Sequence, residues 1–571
     1  MLSLTTIAIL AWAKIFGFAF IFFGLYFIWR KKSVTYWLYL TAAVVILFYW
    51  VLAKDLQTMF WGNVGDEMFI LAYLSKVLLG NFGHDFYYDW LPQFYPPLYF
   101  WLTGILAKPI AVNAIGAAKI GILGTLFIWL VGAFYYQKFW WEKIYRYKFK
   151  FDSILEKAWF WYLYPVIYFV SLDFDAIILK PYEAVSALFG ILLLVFFARA
   201  IWQANWPKKY YLFFGISAGL VFLTFYFWFV IFIPVALALI YFSKNKKDNF
   251  KRLAIISSIA LAPALLFVGP LLWSYLKYGL DTAQATHFVA GDFFSFLAWQ
   301  NFSLKALLSL LGLTGIFLFY KKSAIKSAAL VLIFSFAYQI INFILFISGF
   351  KPIQASKPFY FLATAALSLS ASYLLIYVYQ KYLSKVSKRY LMTILSVSFI
   401  LLSGLLPHFS FIDQPEILQQ IEKDLRPANE AVLSQDLKNV VADYQSRTWL
   451  STGPAALNAY IPMSYYLANA VHFSHHSALF TRRWQELEDL TQASSSFEFM
   501  KLIDQGEPRK IDSLLFYNDT SNAEHYVFDF WVDNYPNGGR NQKIYLAKDL
   551  ISEEDWNLVY NKNNWLIFLR K

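Results

Sequence analysis

Two adjacent carboxylates stand directly before a helix-forming run, in the order Gly65-Asp66-Glu67-Met68-Phe69. Met68 to Leu79 is apolar with a helical period, broken only by Tyr73, Ser75 and Lys76, and it stops at Gly80-Asn81, a common helix C-terminal signal. Asp66 therefore falls at or near the first turn of an amphipathic helix. Unpaired backbone N–H groups and the positive end of the helix dipole favour its ionised form there. Such a carboxylate is suited to accept a proton, with Glu67 beside it; the same placement also suits plain helix capping.

Other groups could join it. Leu172-Asp173-Phe174-Asp175 sets two carboxylates two residues apart. With Asp66 or Glu67 they could hold a divalent cation such as Mg, Mn or Ca through oxygen ligands, or form a solvated turn in which Asp175 caps a helix. Lys180 and Glu183 follow inside an apolar segment, spaced to pair on one helix face, with Pro181 loosening the helix between them. Lys180 is a candidate to meet a phosphate or one half of an internal ion pair. Lys351 and Lys357 stand beside Pro352 and Pro358 and could bind phosphate or lie against lipid headgroups. His84, Asp85 and Asp89, mixed with Tyr87, Tyr88 and Trp90, suit stacking on sugar faces or an interfacial aromatic belt. Trp531, Asp533, Asn534, Asn537 and Arg540 form a possible acceptor-facing set or the end of a hairpin. One base with nearby cations fits transfer of a sugar from a lipid phosphate to a hydroxyl, since the phosphate leaves without an acid. A glycoside hydrolase instead needs two opposed carboxyls.

The elements that must position these residues are mostly membrane spans. The chain has 571 residues, 59% hydrophobic and 21% aromatic, and its mean hydropathy of +0.48 excludes an ordinary soluble protein. Apolar runs of bilayer length recur to about Pro407. Cysteine is absent, which excludes disulfides and thiolate chemistry. The net charge of +13 sits in short loops between apolar runs (Arg30-Lys31-Lys32, Lys143 to Lys150, Lys208-Lys209, Lys244 to Arg252, Lys321-Lys322 and Lys381 to Arg389), so it marks cytoplasmic loops and not a nucleic-acid surface. Residues 54–96, Asp173 and Asp175, Lys351 to Lys357 and everything after Pro407 then face outward. We expect about twelve spans within 1–407, counting Ala158–Val170, Tyr210–Thr224, Phe227–Phe242 and Leu391–Leu406, with Leu98–Ile110 as a re-entrant or surface helix. Residues 408–571 turn polar. Alternation in Ile511–Tyr517, Tyr526–Val532 and Ile544–Leu546 predicts strands, and Arg482–Leu490 and Ser496–Ile503 predict helices, in an extracytoplasmic α+β domain of a size consistent with one core.

The Asp66-Glu67 pair, Tyr95-Pro96-Pro97-Leu98 and the Asp173/Asp175 turn, in that order and on one face, resemble GT-C type glycosyltransferases, which use polyprenyl-phosphate sugars. Asn469-Ala470-Val471-His472-Phe473-Ser474-His475, Phe480-Thr481-Arg482-Arg483 and Asp533-Asn534-Tyr535-Pro536-Asn537-Gly538 are similar to the galactan arabinofuranosyltransferases of actinobacterial cell-wall synthesis. That resemblance implies a decaprenyl-phosphate arabinofuranose donor, a galactan acceptor and the base role at Asp66, in the cytoplasmic membrane. The alternatives are a related transferase acting on protein or lipid acceptors (mannosyl- or aminoarabinosyl-type), a lipid-linked sugar transporter, and a scaffold. A transporter would string ionisable groups through the bilayer and show internal symmetry.

Overall fold

The computed structural model describes residues 2–571 except 61, 63–64, 141–153, 155–156, 204–205, 282–302, 351, 383–413, 454, 469–473, 507–508 and 534–538, and only the backbone of 175, 455, 532–533 and 539–540. The expected span Leu391–Leu406, the basic loop from Lys143, Lys351, His472 and Asn534 lie outside the described residues, as does the Asp175 side chain.

A helical hairpin opens the chain, α1 (Leu4–Trp29) and α2 (Val34–Ala53). The loop after α2 leads to α3 (Asp66–Leu78), a second loop to α4 (Leu98–Ala107), and then α5 (Ala114–Phe127) continues through a π-type turn into α6 (Ala133–Trp140). The helices that follow are α7 (Ala158–Ser171), α8 (Phe174–Leu179), α9 (Pro181–Ala200), α10 (Lys208–Phe225), α11 (Phe229–Tyr241), α12 (Lys246–Tyr278), α13 (Leu304–Phe319), α14 (Ser323–Ile347) and α15 (Thr364–Lys381), the last preceded by a π-type turn at Phe359–Ala363.

Among the described residues eight segments are long and apolar enough to cross a membrane; one of them, Lys208–Tyr241, joins α10 and α11 across an extended residue, Phe225. Leu98–Ile110 and Leu304–Phe319 are shorter apolar helices. Small residues let helix axes approach closely. A Cβ on Gly312 or Gly315 of α13 would meet the Leu367 or Ser370 carbonyl oxygen of α15 at 2.5 and 2.6 Å, and one on Gly215 of α10 would meet Ile259 of α12 at 2.5 Å.

From Pro415 the chain forms α16 (Pro415–Asp424), α17 (Asn429–Val440), α18 (Phe480–Thr491), α19 (Ser496–Gln505) and seven strands. β1 (Thr448–Ser451), β2 (Ser464–Tyr465), β3 (Ser513–Tyr517), β6 (Trp556–Lys562) and β7 (Trp565–Arg570) make a sheet ordered β2-β1-β3-β7-β6, parallel at β2-β1-β3 and antiparallel beyond. β4 (His525–Asp533) and β5 (Gly539–Ala547) form a separate antiparallel pair.

Two buried clusters run through this α+β region. Trp449, Leu457, Ile461, Met463 and Tyr465 belong to the same buried cluster as the membrane helices, while a second cluster (Leu450, Phe499, Phe516, Phe528, Trp556) lies between the sheets and α18–α19. The loop before α4 is one contact surface, and the end of α12 another, where Ser477 Oγ donates to Gly279 O at 2.9 Å. Tyr465 N–H donates to Tyr87 O at 2.8 Å, Asn458 Nδ2 to Phe86 O at 3.2 Å, and Ser75 Oγ of α3 to Asn458 O at 2.9 Å. Arg483, fully enclosed, stacks its guanidinium 4.8 Å from the Tyr466 ring, 5.0 Å from Trp90 and 5.7 Å from Tyr88.

Candidate active site

Asp66 is the first residue of α3, following Gly65 at φ +57°, a left-handed conformation open chiefly to glycine. The turn aims Asp66 at the break between α8 and α9. That break has a local cause: Pro181 opens α9 and disfavours helical geometry at the residue before it, and Lys180 accordingly sits at φ −129°, ψ 50°. Its ammonium leaves the helix axis and reaches Asp66 Oδ2 at 2.7 Å, with both side chains about 29% exposed.

The expected i,i+3 pairing of Lys180 with Glu183 is therefore not made, because Lys180 is no longer in the helix. Glu183 is fully enclosed in the first turn of α9 and takes Lys357 at 2.6 Å. Lys357 also precedes a proline, Pro358, at the start of a span, and its ammonium lies 4.8 Å from the Phe225 ring centre. Burial lowers the Lys357 pKa; Glu183 opposes that shift and the nearby Lys180 adds to it. Tyr95 and Tyr182 share a hydroxyl hydrogen bond of 3.0 Å beside these groups. Tyr95 is held neutral, its pKa raised first by burial and then by the charges of Glu183 and Asp66. Asp66, Lys180, Glu183 and Lys357 thus form one charge cluster, roofed by tyrosines, at the start of two spans.

The other expected residues lie elsewhere. Glu67 does not share the Asp66 opening: it is fully buried and accepts the backbone N–H groups of Met59 at 2.6 Å and Phe60 at 3.2 Å, fixing the loop after α2. Asp173 pairs with Lys305, and its Oδ2 accepts from the Tyr360 hydroxyl at 2.8 Å. Among the described residues no three His, Asp or Glu side chains are grouped to hold a metal ion, and an ammonium occupies the position beside Asp173 that a cation would take. The Asp175 side chain lies outside the described residues, so of the expected Asp173/Asp175 site only Asp173 is described, its carboxylate taken by Lys305 and Tyr360.

Tyr88, expected to face an acceptor, is fully buried, its hydroxyl bonded to Ser474 Oγ at 3.0 Å and to Ala468 N–H at 3.2 Å. It is covered because the α+β region docks on its loop. His84 is exposed and bonds through Nδ1 to Asp89 O at 2.6 Å. Trp531 is 39% exposed on β4, a strand of the separate hairpin. His475 is enclosed, and burial, then the adjacent His476, lowers its pKa to about 3.

Sequence reasoning missed Lys305, Tyr95, Tyr182 and Tyr360 as partners in these clusters. Lys180 and Lys357 share a Lys-Pro step, Lys180-Pro181 and Lys357-Pro358, at the head of a span; at Lys180 it breaks the helix, whereas Lys357 is already helical.

No protein-family model matches the chain, and no curated protein matches it in sequence. Among solved structures, the chain is similar to ArnT from Cupriavidus metallidurans in the apo state, with TM-score 0.48 and 13% identity over 94% of this chain and 98% of that one.

Proposed function

We propose that this protein is a membrane glycosyltransferase that takes a sugar from a polyprenyl phosphate and passes it, with inversion, to a hydroxyl of a glycan outside the cytoplasmic membrane. The sugar we assign is arabinofuranose and the acceptor a cell-wall galactan or related glycan, on the sequence resemblance given above. One observation carries the transferase reading. A partly exposed carboxylate, Asp66, meets Lys180 beside a second, enclosed pair, Glu183 with Lys357, at the start of two spans. Cations at helix N-termini are unfavourable unless an anion joins them, so Lys180 and Lys357 mark a place built for negative charge. In the resting protein the carboxylates of Asp66 and Glu183 fill it.

In the reaction the acceptor oxygen attacks the anomeric carbon, the bond from that carbon to the phosphate oxygen breaks with its electron pair going to phosphate, and the hydroxyl proton passes to Asp66. Lys180 exchanges Asp66 for the departing phosphate, which frees the base as the leaving group is neutralised. Lys357 stays on Glu183 and adds positive potential.

The test uses purified full-length protein in lipid, radiolabelled polyprenyl-phosphate arabinofuranose, and a short galactan acceptor. Transfer is expected, falling by roughly 10²–10⁴-fold in Asp66→Asn, the range for loss of a general base. Lys180→Met is expected to weaken donor binding as well. Equal transfer by Asp66→Asn and the unmutated protein would remove Asp66 from the chemistry. Transfer only from another lipid-linked sugar would keep the mechanism and replace the donor.

A further inference from the structure

An apolar cavity of about 1180 Å³ lined by α1, α2, α7, α13 and α15 runs along the spans, from Lys31, Lys32 and Lys157 at the end remote from Asp66 to Phe48 and Phe174 at the other, and exceeds the roughly 300–1,000 Å³ of most small-molecule sites. The walls contributed by α1 (Phe20 to Ile28) and α2 (Trp37 to Phe48) are aliphatic and aromatic. From Trp37 to Phe48 they cover roughly 17 Å along the helix, about the depth of one leaflet's hydrocarbon. Of the polar groups lining it, Thr41 and Tyr162 bond each other at 2.8 Å, while Tyr379 and Gln380 stand near the last turn of α15.

One mouth differs from the rest. Lys31 and Lys32 of the α1–α2 turn and Lys157 at the start of α7 line it, and among the described residues none of the three is in an ion pair. Lys31 takes a left-handed conformation, φ +50°, in that turn. Trp37 and Trp159, their ring centres 6.3 Å apart, lie at the same level, where amphipathic rings mark a membrane interface.

We infer that this cavity is a binding site for one anionic phospholipid, its acyl chains between α1, α2 and α7 and its headgroup phosphate at Lys31, Lys32 and Lys157. A phosphate there cannot be the reacting one. α2 begins beside Lys31 and Lys32 and runs toward the loop that carries Asp66, so the length of a span separates the two. The inference is thus independent of the transferase reading.

Native mass spectrometry of the full chain in detergent, titrated with palmitoyl-oleoyl phosphatidylglycerol or the matching phosphatidylcholine, tests it. Phosphatidylglycerol is expected to bind at least several-fold more tightly. Lys31→Gln/Lys32→Gln/Lys157→Gln should lower its binding by on the order of tenfold or more, toward that of phosphatidylcholine, since each basic residue contributes measurably to anionic-lipid affinity. Leu163→Trp or Val166→Trp, from the wall, should reduce both lipids. Each variant is compared at matched thermal unfolding, and the wall is probed twice so that one misfolded variant leaves the other. Equal binding of the two lipids, an unchanged triple variant, or displacement of phosphatidylglycerol by polyprenyl phosphate at the wall-sensitive site would each overturn the assignment.

Discussion

Glu183 is the most costly residue of the cluster to disturb, because it is enclosed and its carboxylate is matched by a single lysine. Removing one partner of a buried pair strands the other, whereas replacing both with apolar groups is often neutral. Glu183→Gln is therefore expected to destabilise the protein by roughly 3 kcal/mol in thermal unfolding. Glu183→Leu/Lys357→Leu should recover most of that stability while losing donor affinity. If the double variant binds donor normally, Lys357 has no part in phosphate recognition. The pairing of Glu183 with Lys357 was not legible in the sequence, since 174 positions separate them and a nearer lysine stood at helical spacing. Asp66 was legible because its signal is local: glycine, then carboxylate, then a periodic apolar run.

At the scale of elements, the loop from His84 to Phe94 joins the spans to the sheet, and a buried carboxylate controls it. Asp85 Oδ1 accepts from Tyr87 N–H and Tyr88 N–H, each at 2.9 Å, and among the described residues Oδ2 has no hydrogen-bond partner. Burial raises the Asp85 pKa from 3.8 to about 7, against the two N–H groups and Lys76. The folded state therefore keeps a proton that the unfolded chain releases near pH 4, so stability falls as pH rises from about 4 to about 7 and levels off above that. Asp85→Asn should flatten this dependence. Hydrogen exchange of the loop at pH 5 and pH 8 checks it, and an unchanged profile in the variant would exclude Asp85 as the cause. The elements legible in advance were those with strong periodicity, α3, α18, α19, β3, β4 and β5. β1 and β2 were not, since four and two residues carry no usable alternation, and β1 takes its other parallel partner, β3, from distant chain.

Across the whole molecule, the shared core makes the α+β region dependent on the spans. Its size is consistent with one core, but size does not reveal which faces are left apolar. Residues 415–571 expressed alone are expected to unfold without a cooperative transition and to bind a hydrophobic dye, because Leu457, Ile461 and Met463 lose their cover. A sharp calorimetric transition from that fragment would contradict this. The cluster at Asp66 has a kinetic consequence as well. Two lysines and two carboxylates cancel, so the empty site is electrically neutral and admits a singly charged phosphodiester. After transfer Asp66 carries a proton, the site is positive by one unit, and the spent carrier bears nearly two negative charges. The site returns to neutrality, and so admits the next singly charged donor, only after that proton has left, which ties departure of the spent carrier to recharging of the base.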